Sequence, residues 1–364
     1  VTNYFAPAFS VEINGSRLQA DVSMNIQQVQ VVSKPDTLDT FNLTVVNALP
    51  KLRWTHTKDA DLFRESQSVK IKMGYVDDLK EMIEGEITTI RATFPESGTP
   101  TLSIEGHTLL HRLHGENKTR TFQNMTDKQI VEQIAQEAKL QPDVEDTQIQ
   151  YEYVMQPNQS DLDFLRARAQ RIHFEVLVQN RKLIFRKAKE GEGKKYTFLW
   201  AQTQKSFGSS PNTLPLKSFS PQLNFFEAVT GVEHRAYDSM TKQAFISRAS
   251  HTDQTSTMGG SQTGAQALTA RFQTERRSIS VTEPFSSQAE GDQRAKADFN
   301  SKAMNLIAGS ADTIGVPGLR PGQVAELKGL GTRFDGSYLI DEVTHSISSS
   351  GYRTGFKVKR NTTS

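Results

Sequence analysis

Asp335-Gly-Ser-Tyr-Leu-Ile-Asp-Glu-Val-Thr-His-Ser-Ile347, Ser348-Ser-Ser-Gly351 and Tyr352-Arg-Thr-Gly-Phe-Lys-Val-Lys-Arg360 form the stretch that decides the fold class. Apolar and polar residues alternate on both sides of a Ser/Gly turn, which predicts a β-hairpin with one buried face. On the first arm Tyr338, Ile340, Val343, His345 and Ile347 are the inward candidates. The change of parity between Ile340 and Val343 predicts a bulge. On the second arm Tyr352, Thr354, Phe356 and Val358 alternate with Arg353, Lys357 and Lys359. Nothing in this hairpin carries catalytic chemistry; it reads as a wall.

Working outward, the N-terminal third is also strand-like. Phe9, Val11 and Ile13 alternate before Asn14-Gly15, a strong two-residue hairpin turn. Ile26 to Val32, Phe41 to Val46, Val69 to Met73, Met82 to Ile90 and Thr101 to Gly106 continue the pattern. Short strands at this spacing predict a barrel or sandwich. The middle differs. Thr126-Asp-Lys-Gln129 predicts a capping box opening a helix, with Ile130, Val131, Ile134, Ala135 and Ala138 on one face. Ser160 predicts a second N-cap, with Leu162, Phe164, Leu165 and Ala169 packing and Arg166, Arg168 and Arg171 exposed. Ser206 to Pro221 reads as a crossover loop, Phe225 to Val232 and Gln243 to Ala249 as strands, and His251 to Gly264 as a loop. Ser287 to Ile307 reads as a helix that Gly291 weakens. The expected fold class is therefore mainly β with an α+β insertion. Residues 1–118 and 203–364 are the expected barrel domains, 119–202 the α+β domain between them, and the domains are free to interleave.

Bulk properties exclude several classes. The chain has 364 residues, 43 basic and 41 acidic, with net charge +2. No basic excess points to nucleic acid. No apolar run approaches the roughly 20 residues of a membrane span, and the N-terminus lacks a signal-peptide pattern. Cysteine is absent, which removes disulfides, thiolate metal sites and cysteine nucleophiles.

The chemical constellations are sparse. His107, His111 and His114 would share one face of a helix, and three imidazoles can bind zinc; a surface helix turn packed by Leu109, Leu110 and Leu113 is the competing reading. Gly259-Gly260-Ser-Gln-Thr-Gly264 lacks the Gly-Lys-Ser/Thr of a phosphate loop and reads as a flexible loop. Glu84/Glu86 and Asp341/Glu342 are candidate hydrolytic pairs, but the adjacent Asp341 and Glu342 would point to opposite faces of a strand. No Gly-x-Ser-x-Gly elbow exists. No cofactor is expected.

The closing hairpin, together with Gly315-Val-Pro-Gly-Leu-Arg-Pro-Gly-Gln323, Gln159-Ser-Asp-Leu-Asp-Phe-Leu-Arg-Ala-Arg-Ala169 and the Val69–Gly85 strands, resembles the hub module of contractile phage tails and injection systems, the late control D family, also similar to the hub portion of type VI secretion VgrG spikes. The residues carrying the resemblance are Gly74, Tyr75, Gly85, Pro317, Pro321, Gly322, Gly336, Tyr338, His345, Tyr352 and Arg360. The resemblance implies two tail-tube-like barrels per chain and a homotrimer presenting six barrels. Such a ring joins a hexameric inner tube, or its initiator, to a three-fold spike or needle among baseplate proteins. It implies no enzyme activity, and cytoplasmic assembly into a virion tail or tail-like particle. Arg353, Lys357 and Lys359 become candidate subunit or spike contacts. A tail-associated peptidoglycan hydrolase and a receptor-binding tail protein are the alternatives. The relatives' fused spike would attach after Arg360-Asn-Thr-Thr-Ser364; either the spike is a separate protein here or the chain is cut short.

Overall fold

The computed structural model describes residues 6–35, 37–46, 62–179, 181–191, 194–200, 213–238, 242–281, 285 and 287–363. The first unit contains β1 (Pro7–Ile13), β2 (Ser16–Arg17), β3 (Ile26–Ser33), β4 (Thr40–Val46), β5 (Ser68–Tyr75), β6 (Asp78–Thr93) and β7 (Thr101–Thr108). The middle unit contains β8 (Lys118–Thr126), β9 (Gln141–Val144), β10 (Gln150–Gln159), β11 (Phe174–Gln179) and β12 (Lys182–Lys187), with helices Asp127–Glu137 and Asp161–Arg171. The remainder contains β13 (Lys195–Leu199), β14 (Thr213–Leu223), β15 (Gly231–Asp238), β16 (Gln243–Ser250), β17 (Gln262–Thr263), β18 (Arg277–Ser280), β19 (Ile307–Ile314), β20 (Val324–Lys328), β21 (Gly336–Ser348), β22 (Gly351–Arg360) and β23 (Thr362–Thr363). Helices Gly264–Phe272 and Gln288–Ala303 lie among them.

One sheet of thirteen strands runs β2-β1-β5-β6-β7-β4-β3-β21-β20-β13-β14-β19-β22, and β21 also pairs with β22. That extra pairing closes β21, β20, β13, β14, β19 and β22 into a six-stranded barrel. The strands of the first unit curl around a second core, from Val11 and Val29 to Met73 and Ile104, which also takes in Ile347 and Tyr352 from the terminal hairpin. The chain is thus mainly β, as its alternation predicts. The long β21 makes the join. One edge pairs with β20 over Gly336–Leu339 and then with β3 over Val343–Ser348, while the other edge pairs with β22. The expected bulge falls between Ile340 and Glu342. It turns the strand between its two partners while keeping Tyr338, Ile340, Val343 and His345 buried.

Two glycines let β6 and β7 approach. A Cβ on Gly85 would lie 2.2 Å from the His107 carbonyl oxygen, and one on Gly106 would lie 2.3 Å from that of Glu86. Gly85→Ala is expected to lower stability by about 1–3 kcal/mol, because backbone rather than a flexible side chain has to move. Urea unfolding checks this, and an unchanged midpoint would refute it.

Several local expectations hold. Asn14 and Gly15 both have positive φ between β1 and β2. The Thr126/Gln129 capping box forms, and Ser160 caps the next helix. Helix Gln288–Ala303 begins after its Ser287 cap but stops short of the expected Ile307, which opens β19. Gly291 belongs there for packing, since a Cβ would strike Ser247 and the Phe285 ring.

Others are corrected. Residues 206–212 of the expected crossover loop lie outside the described residues. Residues 213–221 form most of a strand rather than a loop. β14 tolerates Pro221 because β13 reaches only Thr213–Pro215, and among the described residues no strand pairs with that side of the later strand. The strand expected at 225–232 begins only at Gly231. Before it, the Asn224 side chain accepts from the Phe226 amide at 2.9 Å and makes a turn. The helix Gly264–Phe272 was hidden by its polar approach; Thr263 and Gln266 supply its capping box.

The middle core runs from Leu109 to Phe185. β13, within 119–202, runs in the six-stranded barrel rather than in the middle unit. A smaller core of Val232, Ala249, Ala265, Ala295 and Phe299 joins β15 and β16 to helix Gln288–Ala303. Among the described residues no helix is long and apolar enough to cross a membrane.

Candidate functional site

The site with the most built chemistry is the seam where the terminal hairpin meets the strands of the first unit. Tyr75, the last residue of β5, donates its hydroxyl to the Gly315 carbonyl at 2.8 Å. Its ring lies 5.7 Å from that of Tyr352. A Cβ on Gly315 would stand 2.1 Å from the Tyr352 ring, so this crossing requires glycine. His345 Nε2 donates to the Leu319 carbonyl at 3.1 Å, which leaves Nδ1 to accept from the Tyr352 hydroxyl at 2.9 Å. Thr354 Oγ1 lies 3.2 Å from the same nitrogen and accepts from the Val316 amide at 2.9 Å. Burial and the nearby Arg320 charge push the His345 pKa down to about 3.

Arg320 ties the turn to the first unit. Its guanidinium donates to the carbonyls of Pro317 at 3.0 Å, Leu319 at 2.8 Å and Glu81 at 2.7 Å. The last bond crosses from the turn before β20 to β6. Gly322 completes the turn with φ +82°, and its amide donates to the Ile340 carbonyl at 2.8 Å.

At the other end of the hairpin, Arg360 is fully buried. It donates to the carbonyls of Thr362 at 2.9 Å, Asp335 at 2.9 Å and Arg333 at 2.8 Å, and its guanidinium lies 4.6 Å from the Tyr338 ring centroid. Gly336, at φ +130°, brings its backbone against Arg360 and Gly259. The residues singled out in the last fifty positions therefore gather into two clusters at the ends of one hairpin. Gly74, Tyr75 and Gly85 stand in β5 and β6, across the seam.

The Gly259–Gly264 segment straps the C-terminus rather than cradling phosphate. A Cβ on Gly260 would strike Thr362, and β17 pairs with β23. Asn361 accepts from the Met258 amide at 3.0 Å and donates to the Ser256 carbonyl at 2.6 Å.

The remaining candidates are dispersed. His107 lies in β7, bonded to Thr88 at 2.9 Å; only Leu109–His114 is helical, and it is a 3-10 turn. The single helical face expected for His107, His111 and His114 does not exist, because the strand runs to Thr108. His111 contacts Glu86 at 2.9 Å. Among the described residues no group of three or more His, Asp or Glu is placed to hold a metal ion. Burial pushes the Glu86 pKa up, but the bonds from Arg112 and His111 outweigh it and hold the carboxyl below the usual range. Glu84 pairs with Lys70 at 3.0 Å, Asp341 with Lys359 at 2.9 Å and Glu342 with Lys357 at 3.0 Å. Lys357 and Lys359 are thus engaged across the hairpin, while Arg353 is exposed.

Arg168 is buried, contrary to its exposed reading. It pairs with Asp127 at 2.6 Å and lies over the Tyr151 ring at 4.3 Å. Helix Asp161–Arg171 is covered on that side by helix Gln288–Ala303, which brings its own buried Glu290–Arg294 pair. No local spacing announces that cover. Between these units and the barrels lies a cleft of about 1290 Å³, lined in part by Asp39, His173, Asp298 and Arg320. Burial raises the Asp39 pKa to about 6.

Solved structures share this arrangement. The 43 kDa tail protein of prophage MuSo2 from Shewanella oneidensis superposes with TM-score 0.71 at 12% identity, over 98% of this chain and 99% of that one. A tail protein from Neisseria meningitidis MC58 gives 0.67 at 13%, over 98% and 97%. The E. coli c3393 protein, a component of the type VI secretion system, gives 0.59 at 13%, over 96% and 76%. The fold is therefore that of phage tail proteins and their type VI secretion counterparts. The family model for the Alg8 N-terminal domain matches residues 5–349, and the chain belongs to that family. Comparison with curated protein sequences finds no match.

Proposed function

We propose that this chain is a structural hub of a contractile tail or injection-particle baseplate, acting as a homotrimer that adapts a six-fold inner tube to a three-fold spike. The observation that carries this reading is the join itself: one strand, β21, serves both β-rich units. Three chains so built would present six similar units in a ring. A closed ring also removes free strand edges. The seam of Tyr75, Arg320, His345 and Tyr352 fixes the angle between the two units of each chain, which a symmetry adaptor requires. The 1–118, 119–202 and 203–364 segments are proposed as its interleaved barrel, insertion and barrel domains. Arg353 is the proposed contact toward a neighbouring subunit or spike.

The role needs no catalysis. The carboxylates considered for hydrolysis are held in ion pairs, and Glu86 is pushed away from a proton donor's pKa range. Electron microscopy of the intact particle tests the reading. Three copies on the particle axis, between tube and spike, are expected. Six copies per ring or an off-axis position would sink it, the latter favouring a receptor-binding tail protein.

A further inference from the structure

The last residues of most domains fray unless something ties them down. Here the last described residues are buried: Arg360 and Thr363 are 0% exposed, Thr362 1% and Asn361 2%. Their cover is the segment 255–264, Thr-Ser-Thr-Met-Gly-Gly-Ser-Gln-Thr-Gly, which has no charged residue and Met258 as its one large apolar side chain. The Met258 amide donates to Asn361 Oδ1 at 3.0 Å, and Asn361 Nδ2 donates to the Ser256 carbonyl at 2.6 Å. Thr362 Oγ1 donates to the Met258 carbonyl, and the Gly264 amide donates to the Asn361 carbonyl at 3.1 Å. β17 then pairs antiparallel with β23, Gln262 opposite Thr363 and Thr263 opposite Thr362. A Cβ on Gly260 would lie 2.6 Å from Thr362 Oγ1, so the two segments meet with no room for a side chain there.

Both roots of this strap are fixed to the body. At one, the Thr255 amide donates to Asn300 Oδ1 at 3.0 Å and Asn300 Nδ2 to the Asp253 carbonyl at 3.2 Å, Asn300 belonging to helix Gln288–Ala303. At the other, Thr263 and Gln266 cap helix Gly264–Phe272, whose Ala265, Ala267 and Leu268 are buried. Between the roots Met258 packs with Met304 and Leu339. The Arg360 guanidinium adds its bonds to the Arg333 and Asp335 carbonyls, in the turn before β21. A pull on the C-terminal side therefore meets the strap and that turn together, before it reaches the last β22 pairs, Arg360 with Ile307 and Lys359 with Leu339. Bonds that share a load have to break together, whereas the pairs of a strand loaded from its end open one after another.

We propose that residues 255–264 are a mechanical latch over residues 360–363, which passes a pull on the C-terminal side into helix Gln288–Ala303 and the six-stranded barrel and keeps β22 from peeling. This rests on the hub reading for the source of the pull, a spike held on that side. The latch gives the Gly259-Gly260 pair a task that a flexible loop does not have. Gly259, at φ +66°, crosses β21 where a Cβ would lie 2.4 Å from the Ser337 amide nitrogen, and Gly260 crosses β23 at Thr362.

Single-molecule pulling tests this, because forced unfolding is governed by the rate of leaving the folded state. The sequence has no cysteine, so thiol handles attach without background. Ser97→Cys with Ser364→Cys loads the C-terminal side. Ser97→Cys with Ser349→Cys loads the exposed turn at the other end of β22. Asn361→Ala with Thr362→Val deletes three latch bonds. It should shorten the lifetime under the C-terminal pull at constant force by at least about 30-fold, each bond being worth roughly a factor of five. The lifetime under the turn pull should not change. Gly260→Val, which presses the strap away while keeping every donor and acceptor, should give the same split, so the result does not hang on the folding of one variant. Equal shortening under both pulls, or none under the first, would mark an ordinary stabilising contact and overturn the latch, without touching the particle position on which the hub reading stands. An off-axis position in the particle would remove the spike and leave the latch.

Discussion

Arg360→Met is expected to lower the unfolding free energy by about 3–5 kcal/mol, because three buried carbonyls lose one charged donor. The guanidinium sits at zero exposure and bonds three backbone carbonyls, those of Arg333, Asp335 and Thr362. Methionine fills much of the volume but leaves those acceptors dry, at a cost of about 1–3 kcal/mol for each one that stays unsatisfied. It also removes the cation from the Tyr338 face. Arg360→Lys keeps the charge but not the planar fork, so it should recover only part of the loss. Guanidinium denaturation of the three proteins checks the order. A lysine variant as stable as wild type would show that charge alone, rather than fork geometry, holds the Arg333–Asp335 turn.

The second expected result is an acid profile shaped by two groups of opposite sign. His345 has a folded pKa of about 3 against an ordinary 6.5. Above pH 6.5 it is neutral in both states and costs nothing. As pH falls further, the unfolded chain takes up a proton that the folded seam refuses. Stability then drops by about 1.4 kcal/mol per pH unit until the folded imidazole itself titrates. Asp39 works the other way, its folded pKa being about 6 against an ordinary 3.8. Between those values the folded state binds its proton first, so stability rises as pH falls. Asp39 keeps part of its surface open, so its contribution is the smaller one. Wild type should therefore lose stability only gently from pH 6 to 4 and steeply below. Asp39→Asn removes the compensation and should begin a steep loss near pH 6.5, reaching about 3 kcal/mol by pH 4. Adding His345→Gln should flatten that slope. Urea midpoints between pH 7 and 4 test it; parallel profiles for wild type and Asp39→Asn would refute the coupling.

These predictions rest on residues of unequal legibility. His345 stood among the inward residues of the quoted hairpin because inward parity marks a strand residue whatever its chemistry, whereas Arg360 was singled out only by the family resemblance. That His345 is neutral and Arg360 a carbonyl clamp was not legible. Their partners come from 316–320 and 333–335, brought in by the barrel's closure. Arg168 shows the reverse failure. Its helix has an apolar face and an Arg-rich face, so solvent was the natural reading; a second helix more than a hundred residues later covers it. The three histidines shared helical spacing only on the assumption of a helix, and β7 runs through the first of them.

By itself the sequence determined most of the elements, though not the strand at 213–223 or the helix Gly264–Phe272. Period-two alternation, the Asn14-Gly15 turn, the Thr126/Gln129 and Ser160 caps and the parity break at Ile340–Val343 are local, and local backbone physics reads them. Tertiary structure alone decided which edges pair. Strand pairing between residues such as Val343 and Ser33 depends on loop closure over hundreds of positions, for which no nearby spacing is a guide. So the hairpin's alternation showed that it has a buried face. Only the paired sheet showed that both of its edges are shared, and that one strand joins the closed barrel to the strands of the first unit.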